Sequence, residues 1–399
     1  MNDLSKTTCP VCLSNNVDVF FEIRQVPVHC NVLHSSRDEA LAAPMGDLQL
    51  GFCRECGHVF NLAFGPSLMA YEGEYANPLH CSPHFRSYAE SLAARLIERH
   101  DLHEKKIIEI GCGDGEFLRL LCKAGGNRGV GFDPSYVSDG RSVAGSERVT
   151  IIKDFYSDQY VDQQADFICC RHVLEHLDHP RRFLRSVRRA VGDRSETPVY
   201  FEVPNVLYTL WKLGIWDLIY EHYSYFSATS LDRLFTSCGF VINDLRETYG
   251  GQFLGIEALP NPEKPGPMTS GASTSGPSVE AMARDVKAFA ERYRDKVRRW
   301  HGNVDKMRDA GQEAVVWGAG SKGVTFLNVL GEQERIRYAV DINPQKQGMY
   351  VPGTGQQIVP PAFLQDHEPD VVIVMNPVYE EEIRKTVASL GISPELICA

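Results

Sequence analysis

The sequence predicts an α/β protein built on a mostly parallel sheet with helices on both faces. The first observation is that short apolar runs alternate with amphipathic stretches between residues 106 and 260, which is typical of strands alternating with helices. The second is that two strands, one before residue 111 and one before residue 318, run into glycine-rich turns that open helices. The repeat of this unit predicts a second α/β domain near the C-terminus.

The composition is that of an ordinary globular protein and limits the classes of partner. The chain has 399 residues, 43% of them hydrophobic, which is enough for two or three domains. A net charge of −11 argues against a large nucleic-acid surface, because phosphate contacts need a basic face. We find no apolar signal segment and no run of about eighteen apolar residues, so we expect no signal peptide and no membrane span. Twelve cysteines in such a chain indicate a reducing, cytoplasmic location.

The order of these patterns divides the chain into four parts. We expect a zinc-binding domain at 1–65 and the main α/β domain at 66–260. Residues 261–278 are rich in Pro, Gly, Ser and Thr and predict a flexible linker. Residues 279–399 begin with a long amphipathic helix and continue as a Rossmann-like domain.

Two cysteine pairs near the N-terminus predict the zinc ion. Each pair has the spacing Cys-x-x-Cys, which lets two thiolates hold one side of a tetrahedral ion. Two such pairs complete the coordination shell, so the ion has a structural role. Unligated core cysteines or a redox pair are the alternatives. The four residues are Cys9, Cys12, Cys53 and Cys56.

The main domain begins with a helix and continues as strands alternating with helices. Apolar residues at helical spacing (Leu92, Leu96, Ile97) predict the first helix. A Ser/Thr cap at Ser227 opens a later helix, and two strands follow it. The predicted strands are KIIEIG, RGVGFD, VTIIKD, ADFICC, PVYFEVP, FVINDLRETY and GQFLGIEALP.

The first glycine-rich turn, in IIEIGCGDGEFL, predicts a cofactor site. Gly111, Gly113 and Gly115 let a ligand approach the backbone, and the following helix offers free N–H groups. Glu109 ends the strand that enters the turn. Such a turn alone is weak evidence for any particular cofactor, and NAD is an alternative.

Three residues at later strand ends favour a different cofactor. Asp133 ends the next strand, where a carboxylate can bind a ribose diol, and Asp154 and Phe155 follow a further strand, where they can contact an adenine. With the glycine turn, these residues resemble the class I S-adenosylmethionine (SAM)-dependent methyltransferases. The resemblance implies SAM as methyl donor. Because its sulfonium is already electrophilic, the protein must mainly orient the acceptor and remove a proton.

Two later segments offer residues for that proton transfer. In RHVLEHLDHP, His172 follows a strand and can reach a substrate, whereas we assign His176 an architectural role before a helix. In IYEHYSYFS, Tyr220, Glu221 and His222 form a dense polar and aromatic cluster. This cluster predicts a general base with an orienting carboxylate and a phenol, and a packed lid is the alternative.

The order of motifs along the chain narrows the resemblance. A cysteine-pair zinc domain, a SAM core with HVLEHL and EHYSYFS, and a C-terminal GAGSKG…VDINPQKQG segment resemble sugar C-methyltransferases that act on nucleotide-linked ketosugars. The base of that family lies in a Tyr-x-Glu-His motif. Glu221 and His222 match it, but Ile219 occupies the tyrosine position and Tyr220 lies beside it. This departure, with the linker, leaves the acceptor open.

The same resemblance implies a substrate-facing tyrosine upstream of the SAM core. YEGEYANPLHCSP offers Tyr71 or Tyr75, and we prefer Tyr75. His80 and His84 either line the same mouth or are solvated loop histidines.

The C-terminal glycine turn leaves three interpretations open. Its strand–turn–helix pattern, with Asp341 ending the next strand, fits an independent NAD site. Lys322 in the turn suits contact with the nucleotide or diphosphate of a substrate. The third interpretation is simple packing on the core.

Together these features predict an enzyme that C-methylates a nucleotide-linked ketosugar with SAM. His222, oriented by Glu221, removes the proton alpha to the ketone, while His172 or a tyrosine hydroxyl steadies the enolate oxygen. One alternative is O- or N-methylation of a sugar or small metabolite. The other is a zinc-bearing binding protein with a relic SAM fold.

Overall fold

The computed structural model describes five stretches of the chain, which form three β-sheets and the helices around them. The described residues are 8–69, 79–137, 148–262, 276–331 and 335–399. No helix within these stretches is both long and apolar enough to cross a membrane.

The strands fall into three groups along the chain. The N-terminal group comprises β1 (Val17–Pro27), β2 (Met45–Cys53) and β3 (Val59–Asn61). The middle group comprises β4 (Lys106–Ile110), β5 (Arg128–Phe132), β6 (Val149–Ile152), β7 (Phe167–Arg171), β8 (Val199–Pro204), β9 (Ser224–Tyr225), β10 (Phe240–Thr248) and β11 (Phe253–Pro260). The C-terminal group comprises β12 (Ala314–Trp317), β13 (Tyr338–Val340), β14 (Gln357–Val359), β15 (Val371–Val374) and β16 (Glu395–Cys398).

The helices begin at side-chain caps where the sequence supplies them. The Ser82 side chain accepts a hydrogen bond from Phe85 N, and Ser227 forms a reciprocal capping box with Ser230, as the Ser/Thr signal predicts. The helices are α1 (Arg37–Leu41), α2 (Pro83–His100), α3 (Glu116–Gly125), α4 (Pro180–Val191), α5 (Val206–Lys212), α6 (Ala228–Ser237), α7 (Val279–Asp309), α8 (Ser321–Leu330), α9 (Leu364–His367) and α10 (Glu380–Ser389).

The middle sheet confirms the predicted α/β class. Its strand order is β10-β11-β8-β7-β4-β5-β6, and every pair from β8 to β6 is parallel. Only β10 and β11, at one edge, run antiparallel to their neighbours. The carboxyl ends of the parallel strands therefore meet at one edge, where doubly wound sheets bind ligands.

The N-terminal sheet holds the segment that precedes β9. Its order is β1-β2-β3-β9, so a short strand from beyond residue 220 completes a sheet that begins at residue 17. Val59 pairs with Tyr225 in this ladder. The IYEH segment (residues 219–222) therefore lies between the N-terminal sheet and the middle sheet.

The C-terminal sheet confirms the predicted second α/β unit. Its five strands, in the order β14-β13-β12-β15-β16, are all parallel. One hydrophobic core joins this unit to the N-terminal sheet through α7 and the segment around Trp216. The ring centroids of Phe21 and Phe289 are 5.1 Å apart, and those of Trp216 and Phe326 are 4.9 Å apart.

Candidate active site

The glycine-rich turn between β4 and α3 has the backbone that a close ligand approach requires. Gly111 and Gly115 have φ angles of 71° and 83°, which side-chain-bearing residues rarely adopt. A Cβ on Gly111 would lie 2.1 Å from Val173 Cγ2, so the turn packs directly on the segment after β7. Both this turn and the first residues of α3 line a large cavity at the sheet edge.

Asp133, just after the end of the neighbouring strand β5, holds this turn in place through hydrogen bonds. Gly113 N donates a hydrogen bond to Oδ2 at 2.7 Å, and Ser135 N donates one to Oδ1 at 2.9 Å. The carboxylate is thus fixed at the cavity wall, where it was predicted. Its contact with a ribose remains a prediction.

Glu109 lies beneath the turn with its carboxyl group almost wholly removed from water. The residue is 2% exposed, and Oε2 has no hydrogen-bond partner within the described stretches. Burial raises the pKa of Glu109 to about 8, although the nearby Arg171 guanidinium opposes the rise. A large fraction of this group is therefore protonated at neutral pH when no ligand is bound.

Asp154 and Phe155 form the part of the cavity beyond β6. Asp154 accepts hydrogen bonds from Phe155 N at 2.8 Å and from Tyr160 Oη at 2.7 Å, and these bonds lower its pKa. The Phe155 ring is 70% exposed, which is costly for a large apolar side chain without a partner. An exposed ring at this place suits a flat aromatic ligand such as an adenine.

The cavity has a volume of about 1270 Å³ and is lined by all three sheet units. Ordinary small-molecule sites span roughly 300–1,000 Å³, so this one has room for a cofactor and a second ligand. The polar residues that line it outside the glycine turn include His29, Arg171, His172, Glu175, His176, Glu221, His222, Lys322, Asp341 and Lys346.

His172 follows β7 and is held between two carboxylates. Its φ angle of 55° turns the ring back, so that Nε2 lies 3.2 Å from Glu202 Oε1 and Nδ1 lies 3.7 Å from Glu175 Oε1. Burial lowers the pKa of His172, but the two carboxylates outweigh burial and raise the pKa above its usual range. The two carboxylates thus favour the protonated form of His172, which can donate hydrogen bonds.

His222 has the opposite electrostatic setting in the same cavity. Its ring centroid lies 5.0 Å from that of His176 and 5.7 Å from that of Tyr225. Burial lowers the pKa of His222 well below its usual range, and its neighbours His176, His172 and Lys322 lower it further. The ring is therefore neutral at pH 7 and can accept a proton.

Glu221 does not orient His222 as predicted, because its hydrogen bonds lead elsewhere. Its Oε2 accepts a hydrogen bond from Cys30 N at 3.0 Å, and its Oε1 lies 3.8 Å from His29 Nδ1. Its backbone carbonyl accepts a hydrogen bond from His176 Nδ1 at 2.9 Å. Glu221 consequently ties the IYEH segment to the N-terminal unit and holds His176 in place.

The structure also corrects the prediction for Tyr220. The residue is 1% exposed, its ring packs on Phe64 with centroids 5.6 Å apart, and its hydroxyl accepts a hydrogen bond from Gly65 N at 2.8 Å. Its side chain is therefore part of the N-terminal core, whereas its neighbours Ile219 and Glu221 line the cavity. Tyr220 and Glu221 occupy a turn in which His222 N donates to Ile219 O at 3.3 Å, and this turn directs their side chains to different sides.

Of the two histidines that were expected at the mouth of the cavity, His80 lines it and His84 does not. His80 lines the cavity, with Nε2 lying 3.4 Å from Asp114 Oδ2. The ring of His84 instead packs 5.6 Å from that of Tyr249. Tyr75 lies outside the described residues.

The C-terminal turn repeats the hydrogen bonds of the first turn. Ala319 N donates to Asp341 Oδ2 at 2.9 Å and Asn343 N donates to Oδ1 at 2.8 Å, as the corresponding amides do at Asp133. Lys322, predicted to contact a phosphate, forms an ion pair with Asp217 close to the IYEH segment. The C-terminal unit thereby forms one wall of the cavity.

The four predicted zinc ligands lie together at the far end of the N-terminal sheet. Their sulfur atoms all lie within 4.8 Å of one another, with Cys9 Sγ 3.5 Å from Cys56 Sγ and Cys12 Sγ 3.4 Å from Cys53 Sγ. All four are free thiols, and Gly57 N donates to Cys53 O in a tight turn. This donor set fits a tetrahedral zinc ion.

Sequence patterns gave no reason to single out His29, which lines the cavity and reaches Glu221 from a distant part of the sequence. Lys346, in the segment NPQKQG, also lines the cavity, and its Nζ donates to Asn31 Oδ1 at 2.8 Å across two sheet units. Only the packing of the three sheets brings these two residues to one cavity. Glu202 is wholly buried and contacts the cavity-lining His172, and a charged residue inside an apolar strand such as YFEV is a signal for it.

Two family models match the chain. A "Methyltransferase domain" matches residues 84–245, and a "C-methyltransferase C-terminal domain" matches residues 280–392. A curated relative, the C-methyltransferase NovU of Streptomyces niveus, is 26% identical over 94% of this chain and 90% of its own length.

Solved structures match about half of the chain. One is the N,N-8-amino-8-demethyl-D-riboflavin dimethyltransferase of Streptomyces davawensis, 21% identical, covering 46% of this chain and 62% of that chain with a TM-score of 0.34. Another is the 1,6-didemethyltoxoflavin-N1-methyltransferase of Burkholderia thailandensis, 14% identical, covering 51% and 96% with a TM-score of 0.35. On the two domain matches and the near full-length relative, the chain is a SAM-dependent methyltransferase with a methyltransferase domain at residues 84–245 and the C-terminal domain of the C-methyltransferases at residues 280–392.

Proposed function

We propose that this protein transfers a methyl group from SAM to the carbon beside the ketone of a nucleotide-linked sugar. The observation that carries the proposal is the pair of histidines that line one cavity in different surroundings. His222 Nδ1 is buried without a hydrogen-bond partner among the described residues and is the proposed proton acceptor, whereas His172 lies 3.2 Å from the Glu202 carboxylate, which favours its protonated form. Abstraction of a proton next to a ketone needs both functions, because negative charge develops on the ketone oxygen.

In this proposal the glycine turn and the neighbouring strand ends form the SAM site. Gly111, Gly113, Asp133, Asp154 and Phe155 hold SAM, which supplies an electrophilic methyl group when bound. Glu109 and Gly115 complete the wall of that site.

His222 takes the alpha proton of the acceptor onto a ring nitrogen, and the C–H electron pair moves into an enolate. The imidazolium of His172, held by Glu202, donates a hydrogen bond to the enolate oxygen. SAM bound at the glycine turn would supply the methyl group for the new C–C bond at the enolate carbon, and its sulfur would leave as a neutral thioether. The acceptor gains one methyl in place of the proton that remains on His222.

The wall formed by the C-terminal unit is where we expect the nucleotide. α8 begins at Ser321 after Gly318 and Gly320, and its free N–H groups face the cavity. Lys346 adds a buried ammonium group beside this turn. Because Lys322 is paired with Asp217, we assign it to the alignment of the two walls rather than to the phosphate.

We further propose that the four cysteines bind a structural zinc ion. Their geometry, free thiol state and position in the core beside Phe60 support this assignment. Four thiolates leave no open coordination position, so this ion takes no part in methyl transfer.

A His222→Asn substitution tests the assignment of the base. We expect SAM affinity, measured by titration calorimetry, to stay within about twofold, because the ring is not part of the glycine turn. Turnover on a nucleotide-linked ketosugar should fall by roughly 10²–10⁴-fold, the usual contribution of a general base.

His179→Asn is the matched control, since this histidine is exposed and lies outside the cavity-lining set. It should leave turnover unchanged. Turnover by the His222→Asn protein that equals the control would rule out His222 as the base.

A further inference from the structure

Three side chains on the floor of the cavity converge in a way that methyl transfer does not require. One ligand atom each from Glu175, His176 and His222 lies within 4.8 Å of the other two. Glu175 and His176 come from the short turn Leu174–His176, and His222 comes from the clamped IYEH segment. The cluster is separate from the four cysteines.

The ring of His176 is already fixed in the form that binds a metal ion. Its Nδ1 lies 2.9 Å from the backbone oxygen of Glu221, and a carbonyl oxygen can only accept a hydrogen bond. Nδ1 therefore carries a proton, and in the neutral ring the lone pair lies on Nε2. A carbonyl that orients a histidine through its other nitrogen is the usual support of a metal ligand.

Two atoms of the cluster lack partners although they are buried. Glu175 is 1% exposed, and its Oε2 has no hydrogen-bond partner among the described residues. The same holds for His222 Nδ1. A buried polar atom without a partner destabilises the protein, more so when it is charged, so a ligand that satisfies both atoms is favoured.

We propose that Glu175, His176 and His222 form a second metal site, which takes one divalent ion of the zinc type inside the methyl-transfer cavity. Two imidazoles and one carboxylate are a donor set that zinc binds, and the cavity leaves the fourth position open. His172, whose Nδ1 lies 3.7 Å from Glu175 Oε1, is a nearby positive charge and weakens the affinity. We therefore expect micromolar binding, weaker than at the four cysteines.

The metal ion and the methyl acceptor cannot bind at the same time, and this consequence rests on the proposed function. An ion on His222 occupies one lone pair of the imidazole and makes the ring a poorer base. It also fills the space in which the acceptor's alpha carbon must lie. Zinc should accordingly be a reversible inhibitor that competes with the acceptor.

The binding test counts metal ions and does not need turnover. Full-length protein that retains its tightly bound zinc is dialysed against added Zn²⁺ at tens of micromolar, and zinc is counted by mass spectrometry. We expect two ions per chain in the wild type and one in Glu175→Gln and in His176→Asn. The matched control His179→Asn should keep two. Unchanged circular dichroism and SAM affinity will show that each variant is folded.

The kinetic test uses the same additions of zinc. We expect Zn²⁺ to raise the apparent KM for the acceptor at least tenfold with kcat unchanged, and EDTA to reverse the effect. One ion per chain in the wild type, or equal counts in the wild type and Glu175→Gln, would overturn the proposed site. Turnover that increases with Zn²⁺ would contradict mutually exclusive binding of the ion and the acceptor. If no ketosugar is methylated, the count of ions still decides the site, so this failure is distinct from failure of the proposed function.

Discussion

Glu109 is buried beneath the glycine turn, and its carboxyl group gives the free protein a pH-dependent stability. Its pKa in the folded state is about 8, against an ordinary value of 4.5. The folded state therefore binds the proton more tightly than the unfolded state. This contribution to stability is fully present below about pH 4.5 and is lost as the pH rises towards 8.

A Glu109→Gln substitution should remove that pH dependence. Without ligand, we expect the variant to exceed the wild type in free energy of unfolding by a few kcal/mol at pH 8 and to match it near pH 5. Denaturant unfolding at the two pH values provides the measurement. Glu116→Gln, at an exposed position in the first turn of α3, is the control. An equal difference at both pH values would contradict the account.

The positions of Glu109, Asp133 and Asp154 could be predicted from the sequence because they depend on local order. Each lies at or just after the end of a parallel strand, and parallel strands place their carboxyl ends at one edge. The directions of Tyr220 and Glu221 could not be predicted, because both lie in a turn whose side chains are set by contacts with the N-terminal unit. Contacts with Phe64 and Gly65 hold Tyr220 in the N-terminal core.

At the scale of elements, the IYEH segment depends on contacts from both flanking units. The N-terminal unit holds it through Cys30 N, and the C-terminal turn holds its start through the Lys322–Asp217 ion pair. That pair is partly exposed, so it contributes about 0.2–1 kcal/mol to stability. Its larger effect should be on the alignment of the acceptor with His222.

An Asp217→Asn substitution tests this alignment. We expect the KM for the acceptor to rise by roughly 3–10-fold, because a loosened wall costs about 1 kcal/mol of binding, while SAM affinity is unchanged. Steady-state kinetics with each substrate varied will separate the two. Lys385→Met, which breaks an exposed ion pair with Glu381, is the control and should have no effect. A fall in SAM affinity equal to the loss for the acceptor would contradict the proposed role.

The cysteine cluster ends β2 and packs in the same core as Phe60 and Phe226. A Cys53→Ser substitution should abolish bound structural zinc and lower the free energy of unfolding by several kcal/mol, because metal binding is coupled to folding. Metal analysis and thermal unfolding are the measurements. Cys398→Ser, on the last strand, should retain the zinc. A zinc content and melting temperature equal to the wild type in Cys53→Ser would exclude the site.

At the scale of the whole molecule, three sheets enclose one cavity that none of them forms alone. The alternation of strands and helices predicted the middle and C-terminal sheets, and apolar spacing predicted α7. Their mutual packing could not be predicted, because it rests on contacts such as Phe21–Phe289 and Trp216–Phe326 between residues far apart in the sequence. His29 and Lys346 join the site through that packing.

The most direct test of the account locates the transferred methyl group. The protein is incubated with SAM that carries a carbon-13 methyl group and with a panel of nucleotide-linked ketosugars, and NMR spectroscopy identifies the atom that the label joins. The account predicts a labelled methyl on the ring carbon beside the ketone, formed by the wild type and by His179→Asn but not by His222→Asn. A label on oxygen or nitrogen, or no labelled ketosugar from a protein that binds SAM, would contradict it.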